Sequence, residues 1–123
     1  SLFDLGLVPV LCAINHDGKG QLLNTNADTI ASSVAAALKA SLTYCFEKEG
    51  VLYDKDDEGS VIPIIDTKLY ERLKAEGRVA EGMIPKLDNS FQAMRQGVQE
   101  VIIKHASRLN EHSGSLLTLT KDE

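Results

Sequence analysis

The chain has 123 residues, of which 43% are hydrophobic and 25% are charged, and its formal net charge is −5. This length and composition are those of one ordinary globular domain with a buried core. The acidic balance argues against a general nucleic-acid-binding protein, and no apolar run approaches the ~20 residues that span a bilayer.

The first third of the chain predicts a strand, a hairpin and a helix. Residues 7–14 form a nearly continuous apolar run, which is typical of a strand covered on both faces. A turn is indicated by Asp17-Gly18-Lys19-Gly20, after which residues 21–23 would return as a short strand. Residues 27–40 are rich in Ala and Ser and predict a helix that can lie close to a sheet.

The rest of the chain alternates between strand and helix patterns. Short apolar runs predict strands at 42–46, 61–65, 98–103 and 115–119. Helical spacing predicts helices at 67–75, capped by Asp66-Thr67 and ended by Gly77, and at 86–96. This alternation predicts an α/β fold with a mostly parallel sheet.

Polar side chains crowd the start of the first long helix. Asn24, Asn26 and Asp28 lie on or just before its first turn, where unpaired backbone N–H groups and the helix dipole favour negative ligands. Helix capping alone would explain such residues, since Asn and Asp are preferred N-caps. Open α/β sheets bind ligands at strand carboxyl ends and nearby helix N-termini, and segments 24–28, 47–50 and 82–86 are all of that kind.

Lys86 is the strongest single candidate for chemistry. It follows a Gly-x-x-Pro loop and opens a helix, so its ammonium and the helix N–H groups would face one anion site. Such positioned positive charge suits phosphoryl transfer. The alternative is a solvated lysine at a helix end, although a lysine there opposes the helix dipole. Gly82 would let the backbone approach a ligand, and a plain loop glycine explains it equally well.

No group of residues has the spacing of a metal site. Cys12 and Cys45 lie far apart in apolar runs, so we expect two reduced core thiols in a cytoplasmic protein. The acidic turn at 54–58 resembles the start of a calcium loop but lacks the closing glutamate, which indicates a solvated turn. The three histidines are predicted at strand ends or on the surface, and neither of the two commonest nucleotide motifs is present.

Taken together, six segments resemble the acetylglutamate kinases of the amino-acid kinase superfamily. They are Gly-Leu-Val-Pro-Val at 6–10, Asp-Gly at 17–18, Asn-Thr-Asn-Ala-Asp at 24–28, Gly-Val-Leu at 50–52, Gly-Met-Ile-Pro-Lys at 82–86 and Gly-Ser-Leu-Leu at 114–117. Their order and approximate spacing are similar to those of the carboxy-terminal, nucleotide-binding half of that enzyme. The likeness covers nearly the whole chain.

The resemblance implies a fold, a reaction and cofactors. The fold would be a three-layer αβα lobe, residues 1–123, with an open and mainly parallel sheet between helices. The reaction would be ATP-dependent phosphorylation of the γ-carboxylate of an N-acyl-L-glutamate in arginine biosynthesis, with Mg²⁺ carried by the ATP. The full-length protein would be a cytoplasmic homo-oligomer without nucleic-acid or membrane partners.

The resemblance also assigns roles to individual residues. Asn24 and Asn26 would contact the acylated amino acid, and Asp28 would organise the active-site lysines. Lys86 would neutralise charge on the transferring phosphoryl group. The nucleotide pocket would be formed by Glu47, Gly50, Gly82, Met83 and Lys86.

The chain departs from the family pattern in three places. The amino-terminal lobe, with its own catalytic lysine and glycine-rich loops, is absent, so we expect the isolated chain to be inactive. Phe46-Glu47 replaces the usual Thr-Asp pair before the nucleotide turn. Residues 104–113 are too short for the long penultimate helix, which predicts a trimmed last layer.

Other functions stay open at this point. One is a non-catalytic nucleotide-binding or arginine-sensing module with the same fold. Another is a different kinase of the superfamily, such as an aspartate or uridylate kinase. The choice between an acetyl and a succinyl substrate is not determined by these residues.

Overall fold

The computed structural model describes residues 2–54 and 56–120, so Ser1, Lys55 of the predicted acidic turn and residues 121–123 lie outside the described residues. In chain order the elements are β1 (Ile14–His16), β2 (Leu22–Asn24), α1 (Ala27–Leu38), β3 (Leu42–Phe46), β4 (Ile64–Ile65), α2 (Thr67–Ala75), α3 (Ile84–Arg95), β5 (Val101–His105) and β6 (Ser115–Leu117). Short 3₁₀ turns cover Phe3–Leu5, Glu81–Met83 and Ala106–Arg108.

The main sheet has four strands in the order β3-β5-β6-β4. The pairs β3–β5 and β4–β6 are parallel, whereas β5 and β6 are antiparallel. The predicted hairpin is present as a separate two-stranded sheet of β1 and β2. Strands and helices therefore combine into a mixed α/β sheet, which confirms the fold class expected from the sequence.

One face of the main sheet carries the core. The register aligns Leu42, Val101 and Leu117 in one row, and Tyr44, Ile103 and Ser115 in the next. All six are buried, and all three helices contribute side chains to the same hydrophobic cluster. The described residues thus supply the sheet and one of the two helical layers that the resemblance implies.

The opposite face of the sheet is largely uncovered. Thr43, Cys45 and Ile64 are exposed there, whereas Lys104 is buried beneath the segment that follows β5. The Lys104 ammonium donates to the backbone carbonyls of Leu109 and Glu111 at 3.3 and 2.6 Å. In segment 104–113 the only helical element is a single 3₁₀ turn, as the sequence predicted.

Capping residues determine where α2 begins and ends, and aromatic packing holds it against α3. Asp66 begins α2 because its Oδ1 accepts a hydrogen bond from Leu69 N at 2.7 Å. Gly77 takes a left-handed φ of 69° just after that helix. The rings of Tyr70 on α2 and Phe91 on α3 stack with centroids 5.2 Å apart, which holds the two helices together.

The prediction of a strand at residues 7–14 is wrong for most of its length. Residues 7–13 form no strand and pair with no strand among the described residues, and Val8 and Val10 are 86% and 92% exposed. Apolar periodicity reports a preference for burial, but a strand forms only where a partner supplies hydrogen bonds. The prediction that Cys12 and Cys45 lie in the core is also wrong, since both thiols are exposed, although both are free as expected.

Other elements begin or end a few residues away from their predicted boundaries. Helix α3 begins at Ile84 rather than Lys86, because proline is well accommodated in a first helical turn, where its missing N–H is not needed. Residues 61–65 yield only the two-residue β4, and Val61 instead bridges to Leu52.

None of the described helices has both the length and the apolar character required to traverse a bilayer.

The burial pattern of β4 offers a matched test of the one-sided core. Ile65 is 0% exposed and its neighbour Ile64 is 59% exposed. Ile65→Ala should lower the free energy of unfolding by about 2–5 kcal/mol, since it leaves a cavity in the core. Ile64→Ala should cost less than about 1 kcal/mol. Urea denaturation of both variants provides the measurement, and similar losses would contradict this core.

Candidate functional site

Two helix N-termini meet at an ion pair. The Lys86 ammonium, in the first turn of α3, donates a hydrogen bond to Asp28 Oδ2, in the first turn of α1. The two residues are 58 positions apart in sequence. Their side chains are 30% and 26% exposed, so the pair is partly shielded from water. The acid and the lysine singled out in the sequence therefore lie in one place.

The helix dipoles affect the two partners in opposite ways. A carboxylate near the N-terminus of α1 is stabilised by that helix, whereas an ammonium near the N-terminus of α3 is disfavoured. Asp28 offsets the unfavourable position of Lys86. The result is a cation held at the start of α3, where the helix dipole also favours an anion. The helix offers few free backbone donors there, because the Ile84 N–H is donated to the carbonyl of Glu81 and Pro85 has none.

Neighbouring side chains fix the backbone on both sides of the pair. The Asn26 side chain accepts a hydrogen bond from Asp28 N at 2.8 Å and so caps α1. The Tyr44 hydroxyl donates to the carbonyl of Asp28 at 3.2 Å. The hydroxyl of Ser90, which is fully buried, donates to the carbonyl of Lys86 at 2.6 Å.

Tyr44 also contacts the cation itself. The Lys86 Nζ lies 5.7 Å from the centroid of the Tyr44 ring, within the range of a cation–π interaction. Burial raises the pKa of Tyr44, and the negative charge of Asp28 raises it further, against opposing hydrogen bonds with Ser32 and Ser90. The phenol therefore stays protonated at neutral pH and keeps its hydrogen for donation.

The two asparagines differ in their surroundings. Asn26 is accounted for by its cap, so the structural explanation weighed from the sequence holds for that residue. Asn24 is exposed at the end of β2, opposite Ile14 in the hairpin. No hydrogen bond connects its side chain to Asp28 or Lys86 among the contacts of the described residues.

A small apolar pocket lies directly before α3. It has a volume of about 70 Å³ and is lined by Lys48, Gly50, Val51, Leu52, Arg78, Val79, Ala80 and Met83. Gly50 and Met83 were both expected near a nucleotide, and Met83 is the residue that precedes α3. Typical ligand pockets measure roughly 300–1,000 Å³. This pocket must therefore open before it can enclose a nucleotide base.

Gly50 and Gly82, which look alike in the sequence, occupy different environments. A Cβ on Gly50 would come within 2.8 Å of Ser115 Oγ, so close packing already requires a glycine there. A Cβ on Gly82 would meet no atom within 4 Å, and its φ is not positive. Neither packing nor backbone conformation in the described part of the chain explains Gly82. Glu47 is exposed in the turn after β3.

A larger groove is less suited to chemistry. It has a volume of about 370 Å³ and runs between α1, the start of β3 and residues 11–13, with a lining that carries no charged side chain. Among the described residues, no group of three or more His, Cys, Asp or Glu side chains could hold a metal ion. The charged site at the two helix N-termini is therefore the better candidate.

Sequence reasoning did not single out Tyr44 or Ser90. In a strand at 42–46, alternate side chains point to the same face, so Tyr44 would share the face of Leu42. The sequence does not reveal which groups Tyr44 meets on that face. A clue was available, since a buried tyrosine needs a partner for its hydroxyl. Ser90 lies one helical turn after Lys86 on α3. Nothing in the sequence marks this serine as buried, and its full burial is seen only in the three-dimensional packing.

The two glycines give a prediction about stability. Gly50→Ala should lower the free energy of unfolding by about 1–3 kcal/mol, because the new methyl group collides with Ser115 and Val61. Gly82→Ala should change it by less than about 0.5 kcal/mol. Urea denaturation compares the two variants, and an unaffected Gly50→Ala protein would refute the close packing at that position.

Comparisons with known proteins agree on one family. A model described as "Amino acid kinase family" matches residues 1–105. The chain is 50% identical to the acetylglutamate kinase of Phocaeicola vulgatus, over 95% of this chain and 47% of that protein. It is also 50% identical to the acetylglutamate kinase of Bacteroides thetaiotaomicron, over 93% of this chain and 46% of that protein. The chain thus spans about half the length of these curated relatives.

Solved structures show the same fold. The protein smu.665 from Streptococcus mutans UA159 matches 95% of this chain and 45% of its own, with a TM-score of 0.77 and 29% identity. An N-acetylglutamate synthase from Neisseria gonorrhoeae, solved with coenzyme A and L-arginine, matches 95% of this chain and 29% of its own. Its TM-score is 0.80 at 18% identity, which is evidence for the fold alone. With a family model matching most of its length and curated relatives half identical to it, the chain belongs to the amino acid kinase family.

Proposed function

We propose that this chain forms the nucleotide-binding half of an N-acylglutamate kinase. The whole enzyme would transfer the γ-phosphoryl group of ATP to the γ-carboxylate of N-acetyl-L-glutamate, a step of arginine biosynthesis. The observation that carries this proposal is the ion pair between Lys86 and Asp28 at two adjoining helix N-termini. The names of the relatives that match nearly the whole chain support it.

Lys86 would stabilise negative charge on the transferring phosphoryl group. Phosphoryl transfer depends mainly on positioning and on charge stabilisation, with little covalent work for the protein. An ammonium has three donors, of which Asp28 engages one, so the others can reach phosphoryl oxygens. Asp28 would hold the ammonium in place, and the dipole of α3 would add to the attraction for the phosphates.

The nucleotide would occupy the pocket next to this helix start. Gly50 and Met83 line that pocket, and Met83 directly precedes α3, which carries Lys86 in its first turn. A nucleotide whose base enters there would have its phosphates near Lys86. The open space around Gly82 leaves room for such a ligand against the backbone. Glu47 would lie at the rim, and the pocket would widen on binding.

Magnesium would accompany the ATP rather than occupy a protein site of its own. The described residues include no cluster of metal-ligating side chains, and Asp28 is engaged by Lys86. Mg²⁺ commonly keeps several waters and binds substrate phosphates through few protein ligands. When bound, the ion would neutralise charge on the nucleotide phosphates, and Lys86 would act on the group being transferred.

Asn24 and Asn26 would contact the acylated amino acid. Both side chains are exposed on the same segment as Asp28, and amide groups suit the amide and carboxylates of such a substrate. Asn26 can donate through its amide nitrogen while its oxygen caps α1. Assays with acetyl- and succinyl-glutamate would determine which acyl group is accepted.

Lys86→Ala in the intact gene product should separate catalysis from binding. We expect kcat to fall at least about 100-fold while KM for ATP changes less than about threefold, since the ammonium acts mainly in the transition state. Steady-state assays with ATP and either acylated glutamate provide the measurement. Lys68→Ala is the control, because Lys68 is an exposed lysine in the first turn of α2 and should retain full activity.

A binding module of the same fold would behave differently. Equal losses of kcat and of nucleotide affinity in Lys86→Ala would assign Lys86 a binding role only. An intact protein that binds Mg-ATP but phosphorylates neither acylated glutamate would refute the kinase proposal.

A further inference from the structure

Tyr44 contacts both members of the ion pair. It lies on β3, 5% exposed, and faces the helices. Its hydroxyl donates to the backbone carbonyl of Asp28 at 3.2 Å, and its ring centroid is 5.7 Å from Lys86 Nζ. A strand residue thus contacts a helix on each side: α1 through the hydroxyl and α3 through the ring.

The core limits how the Tyr44 ring can move. Ile103, which is fully buried, lies opposite Tyr44 in the parallel register, and Leu42 is buried on the same face two residues earlier. A tyrosine side chain has only two main torsions, so a packed ring provides a rigid surface. Lys86, by contrast, has a long flexible side chain whose position depends on what surrounds it.

Geometry and charge point to the same role. The face of an aromatic ring attracts a cation and restricts where the ammonium can lie. The hydroxyl holds the carbonyl of Asp28 and with it the first turn of α1. The Tyr44 hydroxyl is neutral at physiological pH, as in any tyrosine, and burial raises its pKa further, so it is not a second anion that competes with Asp28 for Lys86.

We propose that Tyr44 is a positioning residue that holds the Lys86 ammonium against Asp28 in the orientation required for phosphoryl transfer. The inference deepens the kinase function proposed above and rests on it. Tyr44 touches no reacting atom in this account. Its effect is to keep the cation where charge develops, since displacement of a catalytic group by ~1 Å can cost as much as 100-fold in rate.

Two substitutions at Tyr44 separate the ring from the hydroxyl. Tyr44→Phe retains the ring against Lys86 and removes the hydrogen bond to Asp28, whereas Tyr44→Leu removes both. Leu42→Ala serves as the control, because Leu42 is buried on the same strand and the same face, two residues before Tyr44. It reports what a comparable loss of core packing does by itself.

The first measurement needs no activity. Carbon-13 relaxation at the Lys86 side chain, in the full 123-residue chain, reports how well that side chain is ordered. We expect an ordered side chain in the unsubstituted protein, in Tyr44→Phe and in Leu42→Ala, and a disordered one in Tyr44→Leu. Unchanged order in Tyr44→Leu would overturn the proposal.

The second measurement is kinetic and uses the intact gene product. In Tyr44→Leu, kcat should fall about fivefold to tenfold with KM for ATP within about twofold, while Tyr44→Phe should retain at least about half of kcat. Leu42→Ala, assayed well below its unfolding transition, should keep kcat. A Tyr44→Leu protein with full kcat, or a Leu42→Ala protein with the same loss, would overturn the positioning role.

The two measurements distinguish a failure of this inference from a failure of the kinase function. If the unsubstituted intact protein shows no kinase activity, the proposed function fails and so does the catalytic part of the inference. In that case the relaxation data still decide whether Tyr44 orders Lys86. If the protein is an active kinase and the Tyr44 variants match it in both readouts, only the inference about Tyr44 fails.

Discussion

The ion pair between Lys86 and Asp28 is the contact that organises this end of the molecule. It joins the first turns of α1 and α3, two helices that pack on the same face of the sheet and contribute to one hydrophobic cluster. A lysine in that position would be disfavoured by the dipole of α3 without a carboxylate nearby. Because each partner is partly shielded from water, the pair is worth more than a fully exposed ion pair, whose contribution is often negligible.

The core and the site depend on the same side chains. Tyr44 and Ser90 are buried with the apolar cluster, yet their hydroxyls donate to the carbonyls of Asp28 and Lys86. The small pocket before α3 shares this construction, since Gly50 packs against Ser115 in the sheet while Met83 leads into the helix. A rigid core on one face of the sheet thus positions a charged site at the helix ends, because well-packed neighbours hold its side chains in place.

Helix caps, turns and the charged residues of the site were predictable from the sequence. Which strands and side chains lie next to one another was only partly predictable. The strand at 42–46 and the helix at 67–75 were predicted with the bounds observed, because turn residues and the Asp66 cap mark their ends. The approach of Asp28 to Lys86 followed from the general rule that ligand sites gather at helix N-termini and strand ends. Residues 7–13 were mispredicted because an apolar pattern does not reveal whether a partner strand exists. Tyr44, and the contrast between Gly50 and Gly82, required knowledge of which atoms lie nearby.

A double-mutant cycle on Asp28→Asn and Lys86→Met tests the central interaction most directly. The free energies of unfolding of the parent chain, both single variants and the double variant, measured in urea, give the coupling energy of the pair. A half-shielded pair that joins two helices should couple by about 1–3 kcal/mol, with the double variant losing less than the sum of the single losses. Additivity within about 0.5 kcal/mol would show that the two side chains do not support each other, and the organisation of this site around them would be wrong.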